Sequence, residues 1–352
     1  MINILDNPKN YRLGGRNITK DGVLYLSYSA SYIEFKVRAR KVTARLKSDG
    51  HDDTMANRGW VFTFINNCDR FDSHFAVTKE EAEYVIYEGN GMEEATIRIM
   101  KGSEVAFENV GIVSIEVDGS VYELEPSYKK LIEYVGDSIT CGYGFYGIAE
   151  KDLFTTEHEN PWDNYAGKTA RKLGVDYQSI AWSANGVVSH YIDTPAEPPR
   201  TENFFMQDLY PYSDAEFERR QGISEYTPWD FKRQADLVVI NLGTNDSSYT
   251  DNVESRNKKY DEAYKGLVSL VRKNNPNANI LCILGVMDQC LTTTLEQTVK
   301  DINTSGDNKV FFLEIPLQLE SDGYATDYHP SPITHEKMSS LLAEYIRRNE
   351  LI

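Results

Sequence analysis

Five short apolar runs, each followed by a stretch with helical periodicity, constrain this chain more than any other feature. They lie near residues 131–135, 176–181, 236–242, 279–286 and 309–315. Residues 237–242 read Leu-Val-Val-Ile-Asn-Leu, apolar nearly throughout, which is the pattern of a strand buried on both faces. Between the runs, Tyr260, Ala263, Tyr264, Leu267, Val268 and Val271 share one face of a helix that stops at Asn274-Asn275-Pro276. Met338, Leu341, Leu342, Tyr345 and Ile346 share one face of another. Alternation of this kind predicts βαβ units and a parallel sheet covered by helices on both sides. Open sheets of that sort take their ligands at the carboxyl ends of the strands, so the segments that follow each run are where chemistry is expected.

The first 125 or so residues obey a different period. In Tyr32-Ile-Glu-Phe-Lys-Val-Arg38 the apolar Ile33, Phe35 and Val37 alternate with charged neighbours, and Ala95, Ile97 and Ile99 do the same. Val113, Ile115 and Val117 form a third such set, and Val23–Tyr28, Val42–Leu46, Trp60–Ile65 and Glu83–Tyr87 read as further strands. Asp21-Gly22, Gly89-Asn90-Gly91 and Asp118-Gly119 are the expected connections, and strands with one wet face predict a β-sandwich. A chain of 352 residues exceeds what one core usually supports. Two domains are therefore expected, a β-sandwich over 1–126 and an α/β domain over 127–352.

Charge narrows the partners. With 37 basic and 54 acidic residues the formal net charge is −17, which repels nucleic-acid backbones and anionic lipid surfaces and suits an uncharged ligand. Cys68, Cys141, Cys282 and Cys290 lack Cys-x-x-Cys spacing, so neither a zinc site nor a disulfide framework is expected, and no metal or cofactor is called for. The opening Met1-Ile-Asn-Ile-Leu-Asp-Asn-Pro8 lacks a basic start followed by an apolar core. The expectation is a cytoplasmic protein, or a secreted one if a leader has been removed. The Pro-rich stretch from His190 to Asp230 is long for a connection and is expected to form a lid or cleft wall.

Three segments carry chemistry. Gly136-Asp137-Ser138-Ile139-Thr140 follows the first run, where a hydroxyl and its own backbone N–H can face one cleft. Gly243-Thr244-Asn245-Asp246 follows the third, and an Asn there can offer its N–H₂ to a developing oxyanion. Asp327-Tyr328-His329-Pro330 precedes the last helix, where a histidine is placed as a general base.

In order and position these segments resemble the blocks of the SGNH (GDSL-type) hydrolase superfamily, and the whole chain resembles its carbohydrate esterase family two branch. That resemblance implies a jelly-roll β-domain ahead of a three-layer α/β/α catalytic domain. It also implies Ser138 as nucleophile, His329 as base and Asp327 as the group that orients the base. The oxyanion hole would be the Ser138 N–H, the Gly186 N–H in Ser183-Ala184-Asn185-Gly186, and the Asn245 side chain. The common superfamily spacing puts Asp three residues before His, where this chain has Thr326. The family's sites are described as either a triad or a Ser–His dyad, so both arrangements stay open. Tyr328, Trp162 and Trp182 lie near the blocks and are the expected sugar-binding aromatics, with Tyr143, Phe145 and Tyr146 following the nucleophile. The implied activity is a serine esterase removing O-acetyl groups from xylan, mannan or glucomannan oligosaccharides. The alternatives are another acyl or lipid esterase of the superfamily and a catalytically silent carbohydrate-binding protein.

Overall fold

A computed structural model of the chain describes residues 1–49, 54–66, 69–127 and 129–352. Cys68 lies outside the described residues. The chain divides into two compact units. One is Met1–Tyr128 with Thr155–Glu159 and Ser213–Thr227; the other is Lys129–Phe154, Asn160–Tyr212 and Pro228–Ile352.

The first unit is an antiparallel sheet that curls around its main core, with a smaller cluster of Ile18, Val23, Tyr25 and Phe217 beside it. Ile33, Phe35, Val37, Ile97, Ile99, Ile115 and Val117 all point into that core, as the two-residue alternation predicts. The strands are longer than the pattern suggests. Tyr32–Ser48 runs as one strand of 17 residues and Glu81–Lys101 as one of 21. The Gly89-Asn90-Gly91 segment, expected as a turn, lies inside the second of these. The two strands pair along their length, with register shifts between Ala39 and Lys41 and between Val42 and Thr43. Bulges of this kind let a long strand bend instead of ending, which is why a bend reads in sequence as a break. The later segment Ser213–Thr227 is held within this unit by Asn109 Nδ2, which donates to Asp214 Oδ2 at 2.8 Å, and by Arg220, paired with Asp49 at 2.7 Å.

The second unit is a five-stranded parallel sheet with helices. Its strands are β1 (Leu131–Gly136), β2 (Asp176–Ala181), β3 (Leu237–Asn241), β4 (Asn279–Gly285) and β5 (Val310–Ile315), in the order β2-β1-β3-β4-β5. Every residue of β1 and β3 is buried. Even Glu133 of β1 is inside, where it accepts from Tyr210 Oη at 2.5 Å and from Gln178. The helix Glu254–Asn274 buries Tyr260, Tyr264, Leu267, Val268 and Val271. The terminal helix Pro332–Arg348 starts at the Ser331 cap with proline in its first turn and ends on Arg347 and Arg348, consistent with its dipole. In this strand order the direction of winding reverses between β1 and β3, so the carboxyl ends of those two strands frame the crevice.

Candidate active site

The turn after β1 is shaped by two close approaches. Gly136 has no room for a side chain, because a Cβ there would collide with the Thr140 hydroxyl. Asp137 caps the next turn, its Oδ1 accepting from the Ile139 N–H at 3.0 Å. Ser138 therefore opens a one-turn helix, Ser138–Cys141, that closes on Gly142 at φ +78°. Its side chain is buried but borders a cleft of about 730 Å³ formed within the second unit. That volume lies within the range of small-ligand sites.

His329 reaches the same point from the opposite end of the chain. Its Nε2 lies 2.8 Å from Ser138 Oγ, and its Nδ1 lies 3.2 Å from the Thr326 carbonyl oxygen. A carbonyl only accepts, so the Nδ1 proton belongs on that contact and Nε2 is left free to accept from the serine hydroxyl. Burial pushes the imidazole down to about 4, opposed by the Thr326 carbonyl and the Asp327 charge.

Asp327 does not touch the imidazole through its carboxylate. It sits in the left-handed region at φ +51°, and its Oδ2 accepts from Tyr143 Oη at 2.8 Å. The triad expectation is corrected here: with only one residue between Asp327 and His329, the tight loop turns the carboxylate away and presents the Thr326 carbonyl instead. Tyr143 links the parts, its ring centroid 4.3 Å from that of His329 and 3.7 Å from the stacked Phe154.

The residues expected as oxyanion donors are placed unequally around the cleft. Gly186 does not line the cleft; a Cβ there would press against the Ser189 carbonyl and the Asp246 carboxylate. The loop wraps around Asp246, which accepts from the Val187, Val188 and Ser189 amides at 2.9, 2.8 and 3.2 Å. Burial nonetheless lifts the Asp246 carboxyl to about 6. Ser183 and Ala184 are the residues of this loop that do line the cleft, Ala184 at φ +59°. Asn245 lines it too, but its Nδ2 already donates to the Asn185 carbonyl at 2.8 Å and to Asp137 Oδ2 at 3.2 Å. Donation from Asn245 to an oxyanion thus requires one of these bonds to be exchanged.

The expected aromatic residues fare unevenly. Trp162 is buried, under the Arg171 guanidinium at 4.1 Å, and does not line the cleft. Trp182 is half-buried, gives its backbone N–H to Gly136 and does not line it either. Tyr328 is 49% exposed beside His329, with its hydroxyl on Glu150 and its ring 5.6 Å from Tyr324. From the long polar segment, Tyr191, Ile192, Asp193 and Pro195 form one wall of the cleft. Sequence reasoning missed Thr326, which acts through its backbone, and Asp246, whose place directly after Asn245 was the available signal.

A parallel α/β sheet carrying a hydrogen-bonded serine and histidine at its switch point defines the serine-hydrolase class of fold. Residues 134–337, more than half of the chain, match the GDSL-like lipase/acylhydrolase family, and residues 13–124 match the carbohydrate esterase 2 N-terminal domain. The chain belongs to the GDSL-like lipase/acylhydrolase family, with the two-domain organisation of family two carbohydrate esterases. It is 39% identical over 227 residues to the cellulase/esterase CelE of Acetivibrio thermocellus, a match covering 62% of this chain and 25% of that protein. It therefore spans about a quarter of that relative's length. It is 26% identical over 266 residues to the acetylxylan esterase/glucomannan deacetylase of Cellvibrio japonicus, covering 72% of this chain and 69% of that protein. Among solved structures, a family two carbohydrate esterase from Clostridium thermocellum in complex with cellohexaose superposes with a TM-score of 0.82 at 29% identity, covering 96% of this chain and 98% of the other. A family two carbohydrate esterase from Cellvibrio japonicus gives the same TM-score at 19% identity over 99% and 96% of the two chains, a likeness of fold alone.

Proposed function

We propose that this protein is a carbohydrate esterase that removes O-acetyl groups from xylan, mannan or glucomannan oligosaccharides through an acyl-enzyme on Ser138. The observation that carries the reading is the 2.8 Å contact between His329 Nε2 and Ser138 Oγ, with the other ring nitrogen on a carbonyl that fixes the tautomer. His329 takes the hydroxyl proton as Ser138 attacks the ester carbonyl, then returns it to the leaving sugar oxygen. Water attacks the acyl-enzyme by the same route in reverse. The Ser138 N–H starts a helical turn and has no acceptor among the described residues. With the Ala184 N–H, which is likewise uncommitted beside the cleft, it supplies the oxyanion donors. The acetyl-sugar substrate is supported by the named activities of the relatives and by the cellohexaose complex of the similar structure.

The test is hydrolysis of 4-nitrophenyl acetate and of acetylated xylo- and glucomanno-oligosaccharides, the latter followed by mass spectrometry. Ser138→Ala should lose on the order of 10⁴-fold or more on every substrate while remaining folded. Retained turnover in that variant overturns the assignment.

A further inference from the structure

The cleft holding Ser138 and His329 is charged in one sense only. Asp193, Asp251, Asp288 and Asp327 line it, and among the described residues no lysine or arginine does. Two of them accept from neutral groups: Asp288 from the Cys290 N–H at 2.8 Å, and Asp327 from Tyr143. Asp193 and Asp251 are exposed. Arg256, which touches Pro195 of the cleft wall, is turned onto backbone: it donates to the Pro195 and Tyr249 carbonyls at 3.0 and 2.6 Å and lies over the Tyr249 ring. It neutralises none of the four by contact. Like charges around a concave wall focus the potential inside it, and the chain's net charge of −17 adds to the same sign.

We propose that this cleft selects substrates by charge, accepting uncharged glycan esters and rejecting those that carry a carboxylate near the scissile ester, with Asp193, Asp251 and Asp288 as the specificity-determining residues. The inference rests on the esterase function proposed above and names the glycan class within it: neutral backbones, and not uronate-decorated stretches. The carboxylates act at a distance, so their effect is a repulsion that weakens as salt rises. A steric exclusion would not respond to salt.

The test compares a mono-acetylated methyl glucoside with the matching methyl glucuronoside. Wild-type kcat/KM should be at least about tenfold lower on the glucuronoside at about 20 mM ionic strength, and the gap should shrink severalfold at about 0.5 M, where the screening length falls to a few ångströms. The combined variant Asp193→Asn/Asp251→Asn/Asp288→Asn should narrow the low-salt ratio to within about threefold. Asparagine keeps the acceptor that Cys290 uses and tolerates the left-handed backbone of Asp251 at φ +45°, so the variant should fold. Equal rates on the two esters in the wild type, or a gap unmoved by salt and by the triple variant, overturns the proposal. Ser138-dependent hydrolysis of 4-nitrophenyl acetate separates the two levels. If it is present while the two sugar esters rank equally, charge selection alone fails; if it is absent, the esterase reading fails and the charge selection with it.

Discussion

Replacing Asp327 tests the arrangement of the base most sharply. In an obligatory triad an aspartate fixes the imidazole tautomer and is worth about 10⁴ in kcat. Here the Thr326 carbonyl occupies Nδ1 and the Asp327 carboxylate is bound to Tyr143. What Asp327 still supplies is its charge, which favours the imidazolium formed in the transition state, as its upward pull on His329 shows. For a separation on the order of 6 Å and an effective dielectric between about 20 and 80, that attraction is roughly 0.7 to 2.8 kcal/mol, or about 3- to 100-fold in rate. Asp327→Asn removes the charge but keeps an acceptor for the Tyr143 hydroxyl, and Asp327→Ala removes both. We therefore expect kcat on 4-nitrophenyl acetate to fall by about 3- to 100-fold in the asparagine variant, and by somewhat more in the alanine variant as Tyr143 loosens its packing on His329. Stopped-flow measurement of acylation under single-turnover conditions isolates the chemical step. A loss near 10⁴ in both variants, equal to that of Ser138→Ala, would refute this reasoning and make Asp327 the orienting group after all.

The remaining expectations concern the same site and its support. Because burial holds His329 at about 4, the neutral base is present at all pH values above that, so kcat/KM should stay level from pH 8 down past 6 and fall only as pH approaches 4. An inflection at 6.5 or higher, in protein still folded, would show that the imidazole is not depressed. Asn245→Ala unties Asp137 from the Asn185 loop, so it should reduce thermal stability, which scanning calorimetry would detect, while kcat should fall by less than the roughly 10²- to 10³-fold that a lost oxyanion donor costs, because the Ser138 and Ala184 amides remain. Ala184→Gly relieves a left-handed backbone while keeping the amide, so it should retain activity and leave Tm unchanged or raised by a few degrees. A large loss of activity there would mean that the methyl group, and not the N–H, matters. His335 is buried with Nδ1 accepting from the Tyr165 N–H, and burial lowers it to about 3. The unfolded chain takes up that proton near 6.5 and the folded one does not, so stability in urea should decline as pH falls from 6.5 toward 3, and less steeply in His335→Asn.

The α/β half was legible because buried parallel strands leave nearly continuous apolar runs, as Leu131–Gly136 and Leu237–Asn241 do, and because Tyr260 through Val271 keep a clean helical stripe. The β-rich half was legible as alternation, but its long strands were not. A bulge at Ala39–Lys41 and two glycines at 89 and 91 look like turns when only local preferences are visible. Ser138 and His329, which lie 2.8 Å apart, were readable because a side chain proposed to react has to be of the right residue type. The groups around them were not, since Thr326 offers His329 a carbonyl that any residue carries and the role proposed for Ala184 needs only its amide. Gly186 was expected as an oxyanion donor because it is a glycine. The structure uses that absence of a side chain for packing against Asp246.

The loop bearing His329 shows how the imidazole comes to rest on a backbone carbonyl and not on the neighbouring carboxylate. Asp327 and Tyr328 adopt consecutive left-handed conformations, at φ +51° and +58°. Each costs on the order of 1 kcal/mol or more in a non-glycine residue, so the loop holds its shape only if its surroundings over-determine it. Tyr143 grips the Asp327 carboxylate, Glu150 takes the Tyr328 hydroxyl, and Gln318 Nε2 donates to the Tyr328 carbonyl at 2.8 Å. These tethers fix the Thr326 carbonyl under the imidazole and turn Tyr328 outward beside the cleft. The same left-handed turn that withholds Asp327 from Nδ1 leaves its carboxylate on the cleft wall with Asp193, Asp251 and Asp288. The imidazole thus rests on the backbone, and the Asp327 carboxylate, held by Tyr143, faces the cleft.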